Sequence, residues 1–118
     1  MTLSKLARVY SLLGEQGKDI VTLFVSVDSA RDTPQRLKEY LTYFKVKSIG
    51  LTGTKQEIDA VVAAYKATYE KVETESAAGY LYNHSDYVYL IDKEGQVRYL
   101  VRSEDKPDEI SQIVKSLE

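Results

Sequence analysis

The sequence predicts a single α/β domain built around a mixed sheet. The stretch IVTLFVSV at residues 20–27 is β-rich and apolar on both alternating faces, which is typical of a parallel strand covered by helices on both sides. Helix and strand patterns alternate along the first half of the chain, and a hairpin pattern near its end adds antiparallel strands. Because 118 residues fit one core, we expect one domain over residues 1–118.

Two helices flank this first strand along the chain. Residues 3–13 carry apolar side chains at three- and four-residue spacing, and Gly14 follows in the position that ends a helix. A second helix is predicted over residues 34–44, because the capping residues Asp32 and Thr33 precede an apolar stripe. The stripe consists of Leu37, Tyr40, Leu41 and Phe44.

A second strand and a third helix come next. KSIGLTG contains a short strand at residues 48–51, and Thr54 and Glu57 match the S/T-x-x-E capping box that opens a helix. A strand, a crossing helix and another strand form a parallel pair with a right-handed connection. Strand 48–51 is therefore expected beside strand 20–27.

The second half of the chain is less regular. Residues 68–85 carry mostly polar and small side chains, which predicts an irregular excursion with one short strand at 69–72. Two β-rich runs at residues 86–92 and 96–102 enclose a KEG turn, in which Gly95 suits a positive φ. These runs predict a hairpin.

The last predicted element is a helix that begins at Pro107 and has acidic residues in its first turn. The complete order of elements is that of a thioredoxin-like fold, a three-layer α/β/α sandwich with a mixed sheet. That fold has a strand before its first helix, whereas this chain starts at the helix. We therefore expect an N-terminally truncated version of the fold.

Composition excludes several classes of function. The formal net charge is −2, with 16 basic and 18 acidic residues interspersed, so no nucleic-acid partner is expected. The longest apolar run is far shorter than the roughly 20 residues that cross a bilayer, and residues 1–17 show no signal-peptide pattern. We expect either a cytosolic protein or one whose leader has been removed.

No constellation of residues indicates an enzyme. The chain has no cysteine, which excludes disulfides, thiolate nucleophiles and sulfur metal ligands within it. Its single histidine, His84, has no local Ser-His-Asp signature, and GLTGT lacks the spacing of a phosphate-binding loop. From the residues alone, His84 is interpreted as a surface or capping histidine.

Three stretches, in order and at family spacing, resemble the Sco/SenC family of thioredoxin-like copper proteins. They are VSVDSARDTPQRLKEY, IGLTGTKQEIDAVVAAYKATYEKV and YLYNHSDYVYLIDKEGQVR. In that family, two thiolates of a C-x-x-x-C-P turn and a distant histidine bind copper for delivery to cytochrome c oxidase. The resemblance implies that His84 is the copper-ligating histidine and that the cysteines and their strand precede residue 1.

The resemblance also implies a cofactor, partners and a location. The family acts as a metallochaperone and in thiol-redox chemistry, with a subunit of cytochrome c oxidase or another copper or thiol-redox protein as partner. Family members are periplasmic or tethered to a membrane, facing the periplasm or the intermembrane space. Asn83 stands where the family often has an acidic residue. Without the cysteines, we expect this isolated chain not to bind copper tightly.

Sheet geometry predicts that three segments share one rim. In open α/β sheets the active crevice lies beyond the carboxyl ends of the parallel strands, where residues 28–33 are expected. Strand 86–92 should run antiparallel to those strands and bring His84 to the same edge, as should the amino end of helix 3–13. In the family fold the missing strand lies between strands 20–27 and 86–92. We expect these two to pair directly, or strand 20–27 to recruit a second molecule in a homodimer or strand swap.

A second hypothesis assigns the chain to a different class. It would be a cysteine-free thioredoxin-fold interaction module, without metal or redox activity, that docks a partner through Asp28, Arg31 and Asp32. The alternative for these residues is local structure, with Asp32 or Thr33 capping the second helix and Arg31 in solvent.

Overall fold

The structure is a computed structural model that describes residues 2–75, 79–84 and 88–118, with the backbone alone for residues 81–84. Its helices are α1 (Thr2–Leu13), α2 (Pro34–Leu41), α3 (Lys55–Ala64) and α4 (Pro107–Leu117), with a short 3-10 segment at Gly14–Asp19. Its strands are β1 (Thr22–Val25), β2 (Ser48–Leu51), β3 (Tyr69–Glu73), β4 (Tyr80–His84), β5 (Val88–Ile91) and β6 (Val97–Val101). The predicted order of helices and strands is confirmed, with β4 as an addition.

The described strands form three two-stranded ladders, β1 with β2, β3 with β4 and β5 with β6. The Thr22 amide donates to the Lys47 carbonyl at 2.8 Å, and the Ser26 amide donates to the Leu51 carbonyl at 3.0 Å. Donor and acceptor advance together along the chain, so β1 and β2 are parallel, as predicted. The predicted ladder between strands 20–27 and 86–92 is not among the three, and recruitment of a second molecule stays a prediction.

One expectation for β1 is wrong. Its side chains alternate between half-buried and exposed positions, with Leu23 57% and Val25 38% exposed. Among the described residues, β1 is therefore better covered on the face of Thr22 and Phe24 than on the face of Leu23 and Val25. The prediction drawn from the continuous apolar run at residues 20–27 therefore overestimated how far this strand is buried.

The helix ends follow the predicted capping chemistry. Thr33 caps α2, because its hydroxyl accepts the Arg36 N–H at 3.2 Å, and α2 ends at Leu41 rather than at residue 44. Thr54 and Glu57 form the complete capping box of α3. The backbone N–H and the side chain of Thr54 both hydrogen-bond Glu57 and hold the pKa of its carboxyl below the ordinary value.

The prediction of an irregular segment after α3 is wrong in part. Residues 69–73 form the expected strand, but β4 pairs with it antiparallel, with Tyr69 opposite His84 and Glu73 opposite Tyr80. The Thr74 amide donates to the Gly79 carbonyl at 2.9 Å next to the last pair of the ladder. Charged side chains on both faces of β3 hid the period-two pattern of this hairpin.

The predicted second hairpin is confirmed. β5 pairs antiparallel with β6, and Gly95 adopts φ +82° in the turn between them. One carboxylate oxygen of Asp92 accepts the N–H groups of Glu94 at 3.0 Å and Gln96 at 2.9 Å. Residues 86 and 87 of the predicted strand lie outside the described residues.

The chain divides into two compact units, each of which combines separate segments. The first unit contains residues 1–22, 41–49 and 86–118, and the second contains residues 23–40 and 50–85. The core of the first unit brings α1 and α4 onto one face of the β5–β6 hairpin. It consists of Val9, Leu13, Val101, Ile110 and Val114, flanked by Ile20, Val88, Leu90 and Tyr99. The prediction of a single domain over residues 1–118 stays a prediction.

Tyr10 adds a polar contact to the first unit. Its hydroxyl lies 3.0 Å from the hydroxyl oxygen of Thr22 and 3.2 Å from the Lys47 carbonyl, so it joins α1 to the start of the parallel strand pair. Burial raises the pKa of the Tyr10 hydroxyl, and the bond with Thr22 opposes that shift. The half-buried ring with a bonded hydroxyl agrees with the general role of tyrosines in packing.

Ile110→Ala is expected to lower the free energy of unfolding by about 2–5 kcal/mol, because the Ile110 side chain is 0% exposed and its truncation leaves a cavity. The matched control is Ile49→Ala, since Ile49 is 52% exposed and its loss should cost less than about 1 kcal/mol. Denaturant unfolding measures both values. Equal losses in the two variants would contradict the assigned core.

Candidate functional site

His84 is the last residue of β4, in the second unit. The sequence placed it at the entrance to strand 86–92, whereas the structure gives it a strand of its own. Its backbone lies opposite Tyr69 of β3. Tyr80, at the other end of β4, is four residues away, which corresponds to about 13 Å along an extended strand. The position of His84 is thus set by how the β3–β4 hairpin is held.

At the His84 end, Tyr69 attaches the hairpin to α3. The Tyr69 hydroxyl donates a hydrogen bond to one carboxylate oxygen of Asp59. The other oxygen accepts a bond from the Lys55 ammonium at 2.7 Å. The Lys55 hydrogen bond, followed by the Tyr69 hydrogen bond, lowers the pKa of Asp59 below its ordinary value of 3.8, against the opposing effect of desolvation.

At the opposite end, Tyr80 makes contact with residues 28–33. Its hydroxyl donates to a carboxylate oxygen of Asp28 at 3.3 Å. The guanidinium carbon of Arg31 lies 3.6 Å from the centroid of the Tyr80 ring, and the ammonium nitrogen of Lys71 lies 4.3 Å from it. These distances are those of cation–π contacts, in which a cation is attracted to the electron-rich face of the ring.

The loop at residues 28–33 is held by its own hydrogen bonds. Asp28 accepts the Arg31 N–H at 3.2 Å, and its second carboxylate oxygen lies 3.6 Å from the Arg31 Nε. The Ser26 hydroxyl donates to Asp32 at 2.5 Å and accepts the Asp28 N–H at 3.1 Å. Since Ser26, which directly follows β1, is 4% exposed, the loop is fixed from a buried residue.

The predicted docking residues therefore have local partners. Asp28 and Arg31 come together at Tyr80, while Asp32 bonds Ser26 and leaves the capping of α2 to Thr33. The side chain of Asp28 is 13% exposed and that of Arg31 is 34% exposed. Their role in docking a partner stays a prediction.

The sequence reasoning missed two residues of this cluster, Tyr80 and Lys71. Both lie on the β3–β4 hairpin, where the ladder register places residue 71 opposite residue 82, next to Tyr80 on the same face. Tyrosines at residues 80 and 82 show alternation, and this signal could have identified β4. Nothing in the local sequence indicated that Tyr80 meets a loop 52 positions away.

Copper chemistry fits these residues in part. Copper(I) prefers soft thiolates, and an imidazole can complete such a ligand set. The chain has one histidine and no cysteine, and within the described ranges no three His, Cys, Asp or Glu side chains are grouped to hold a metal ion. His84 can therefore supply one ligand of the set that the resemblance implies. The predicted shared rim of His84 and the amino end of α1 stays a prediction.

Helix length bears on membrane association. In the described part of the chain, no helix combines the length and apolar character needed to pass through a bilayer.

The family model described as SCO1/SenC matches residues 1–118. The chain belongs to the SCO1/SenC family. It is 36% identical over 115 residues to the SCO2-like protein of Rickettsia felis, which covers 97% of this chain and 56% of that protein. It is 43% identical over 93 residues to the mitochondrial SCO1 homolog 1 of Arabidopsis thaliana, with 78% of this chain and 28% of that protein covered. The chain thus spans about half of the first relative and less of the second.

The fold is also similar to that of a solved SCO protein. ScoI of Bradyrhizobium japonicum, in its copper-bound structure, matches 98% of this chain and 73% of its own chain, with a TM-score of 0.87 and 29% identity. The predicted family and thioredoxin-like α/β fold are confirmed. Copper is bound in solved structures of this SCO1/SenC family, whereas the assignment of His84 as a ligand stays a prediction.

Asp59→Asn is expected to destabilise the protein most at neutral pH. A carboxyl whose pKa is lowered in the folded state stabilises fully above its ordinary value of 3.8, and this contribution is lost as the pH falls through the folded-state pKa. Urea unfolding between about pH 7 and pH 2 should therefore show a difference between wild type and variant that shrinks with acid. The exposed Asp19→Asn serves as control. A difference that stays constant over the whole range would contradict the Asp59 contacts.

Proposed function

We propose that this chain belongs to a copper-delivering protein that serves cytochrome c oxidase, and that His84 is one of its copper ligands. Copper is cargo in this role, to be handed on unchanged, so the function is transfer rather than catalysis. The observation that carries the proposal is the match of residues 1–118 to the SCO1/SenC family, supported by the similarity to copper-bound ScoI. Two thiolates complete the site and come from outside the 118 residues.

The ligand chemistry explains why one histidine is useful for such cargo. Thiolates hold copper(I) firmly, while an imidazole is a less soft third ligand. A transfer site needs a ligand that can give way to a ligand of the acceptor. Metal and proton also compete for an imidazole nitrogen, so copper binding through this ligand should weaken in acid.

Partner and location follow from the same proposal. The acceptor is a subunit of cytochrome c oxidase or another copper or thiol-redox protein. The protein works on the periplasmic or intermembrane side of its membrane, and the mitochondrial name of the Arabidopsis thaliana relative supports this location. A net charge of −2 without a basic cluster in the sequence disfavours nucleic acid as partner.

The second hypothesis, a docking module without metal, has less support. Its predicted docking residues Asp28 and Arg31 are engaged with Tyr80 of the same unit. A partner would have to compete with these contacts.

The proposal is tested by copper(I) titration against a competing chelator. Three proteins are compared: the 118-residue chain, a version extended at its N-terminus by a strand and a C-x-x-x-C-P turn, and the extended version with His84→Ala. We expect that, of the three proteins, only the extended chain with His84 intact binds copper(I) tightly. Loss of the imidazole should weaken it by at least the roughly 10–100-fold that is typical of disturbing a metal site's supporting residues.

The control is the extended chain with both cysteines replaced by serine, which should bind no more tightly than the 118-residue chain. Unchanged affinity in the His84→Ala protein would refute His84 as a ligand. Tight binding by the 118-residue chain would refute the need for thiolates.

A further inference from the structure

The hydrogen bonds between β3 and β4 are not sufficient by themselves to keep this hairpin ordered. A hairpin of two strands is at best marginally stable in water. Glu70, Lys71 and Glu73 are exposed on β3, so apolar burial defines its register only weakly. A slip by one residue would move Tyr80 to the opposite face of the hairpin. Contacts beyond the hairpin are therefore needed to fix its register and position. Tyr69 makes one at the His84 end, and Tyr80 makes those at the other end.

The described contacts of the Tyr80 side chain include two cations and a carboxylate. The ring receives the Arg31 guanidinium at 3.6 Å and the Lys71 ammonium at 4.3 Å, and the hydroxyl reaches Asp28 at 3.3 Å. A cation–π contact changes an equilibrium by about 2-fold at an exposed site and by about 30-fold when desolvated. The Arg31 contact should change the equilibrium more than the Lys71 contact does. The reason is its lower exposure to water, since the Arg31 side chain is 34% exposed and that of Lys71 is 50% exposed.

The support that Tyr80 meets is itself fixed. Asp28 accepts a backbone N–H from Arg31, and the Asp28 N–H is bonded to the buried Ser26. The Asp32 amide also donates to the Asp28 carbonyl at 2.9 Å. The loop at residues 28–33 thus presents the guanidinium of Arg31 and the carboxylate of Asp28 to Tyr80. Hydrogen bonds tie the backbone of this loop to Ser26, which follows β1.

We propose that Tyr80 is a positioning residue that fixes the β3–β4 hairpin, and with it His84, against the loop at residues 28–33. Arg31 and Asp28 are the groups through which it acts. The consequence for copper rests on the proposed function, since it requires His84 to be a ligand. The consequence for the hairpin does not, because the contacts of Tyr80 involve no metal.

The first test uses the metal-free 118-residue chain with Tyr80→Leu, which keeps apolar bulk but removes the aromatic face and the hydroxyl. Amide exchange followed by NMR should accelerate by about tenfold or more in residues 69–73 and 80–84, and not in α1 or α4. The backbone amide of His84, which ends β4, should be among the accelerated positions.

Two variants separate positioning from simple loss of a side chain. Tyr80→Phe keeps the aromatic face and loses the bond to Asp28, so hairpin exchange, including that of the His84 amide, should stay within about fivefold of wild type. Tyr43→Leu is the matched control, because Tyr43 is 85% exposed and lies in the first unit. It should leave hairpin exchange unchanged.

Arg31→Gln covers the case in which Tyr80→Leu unfolds the whole chain. It should loosen the same hairpin residues, and the double variant Arg31→Gln/Tyr80→Phe should loosen them little further, since the ring has then lost its closest cation. The inference is overturned if neither Tyr80→Leu nor Arg31→Gln changes hairpin exchange more than Tyr43→Leu does.

A copper arm distinguishes this inference from the proposed function. In the chain extended with the C-x-x-x-C-P turn, Tyr80→Leu should weaken copper(I) binding, and it should have no further effect once His84 is alanine. If His84→Ala leaves copper affinity unchanged, the proposed function fails while the metal-free result stands. If His84→Ala weakens binding but Tyr80→Leu does not, the positioning inference fails alone.

Discussion

Each described strand has one hydrogen-bonded neighbour, so each ladder depends on contacts made outside it. Two strands alone bury too little surface to stay ordered in water. The β5–β6 hairpin is stabilised by the apolar faces of α1 and α4, with Ile110 and Val101 at the centre of the contact. The β3–β4 hairpin is held by Tyr69 and Tyr80 at its two ends. This dependence organises the rest of the structure.

The two kinds of support have different physical properties. Apolar packing in the first unit is insensitive to moderate changes of pH and salt, because it involves no charge. The supports of β3–β4 are hydrogen bonds and cation–π contacts with Asp59, Asp28 and Arg31. The Tyr69–Asp59 bond weakens in acid, because the Asp59 carboxylate, whose pKa is lowered in the folded state, is finally protonated there. The Arg31 contact weakens when a charged competitor binds. The hairpin that carries His84 is therefore the part that solution conditions can loosen while the core stays intact.

This arrangement is consistent with a family whose cargo must be both held and released. In the proposed function, a ligand carried by such a hairpin would be held or released while the apolar core of the first unit stays intact. The two thiolates of the proposed site are not among the 118 residues, so metal binding would join the hairpin to a separate segment. Binding of this kind is coupled to the ordering of the segments that supply ligands. By fixing the hairpin beforehand, Tyr80 would reduce the entropy cost of ordering this segment when the metal binds.

The sequence by itself determined the elements whose signals are local. The capping box at Thr54 and Glu57, the turn at Gly95 and the start of α4 at Pro107 depend on neighbouring residues, and the family likeness is carried by contiguous stretches. Only the tertiary structure decided that β4 pairs with β3, that Leu23 is exposed and that Tyr80 meets Asp28 and Arg31. These features depend on which distant residues approach one another, and residue spacing carries no record of that choice.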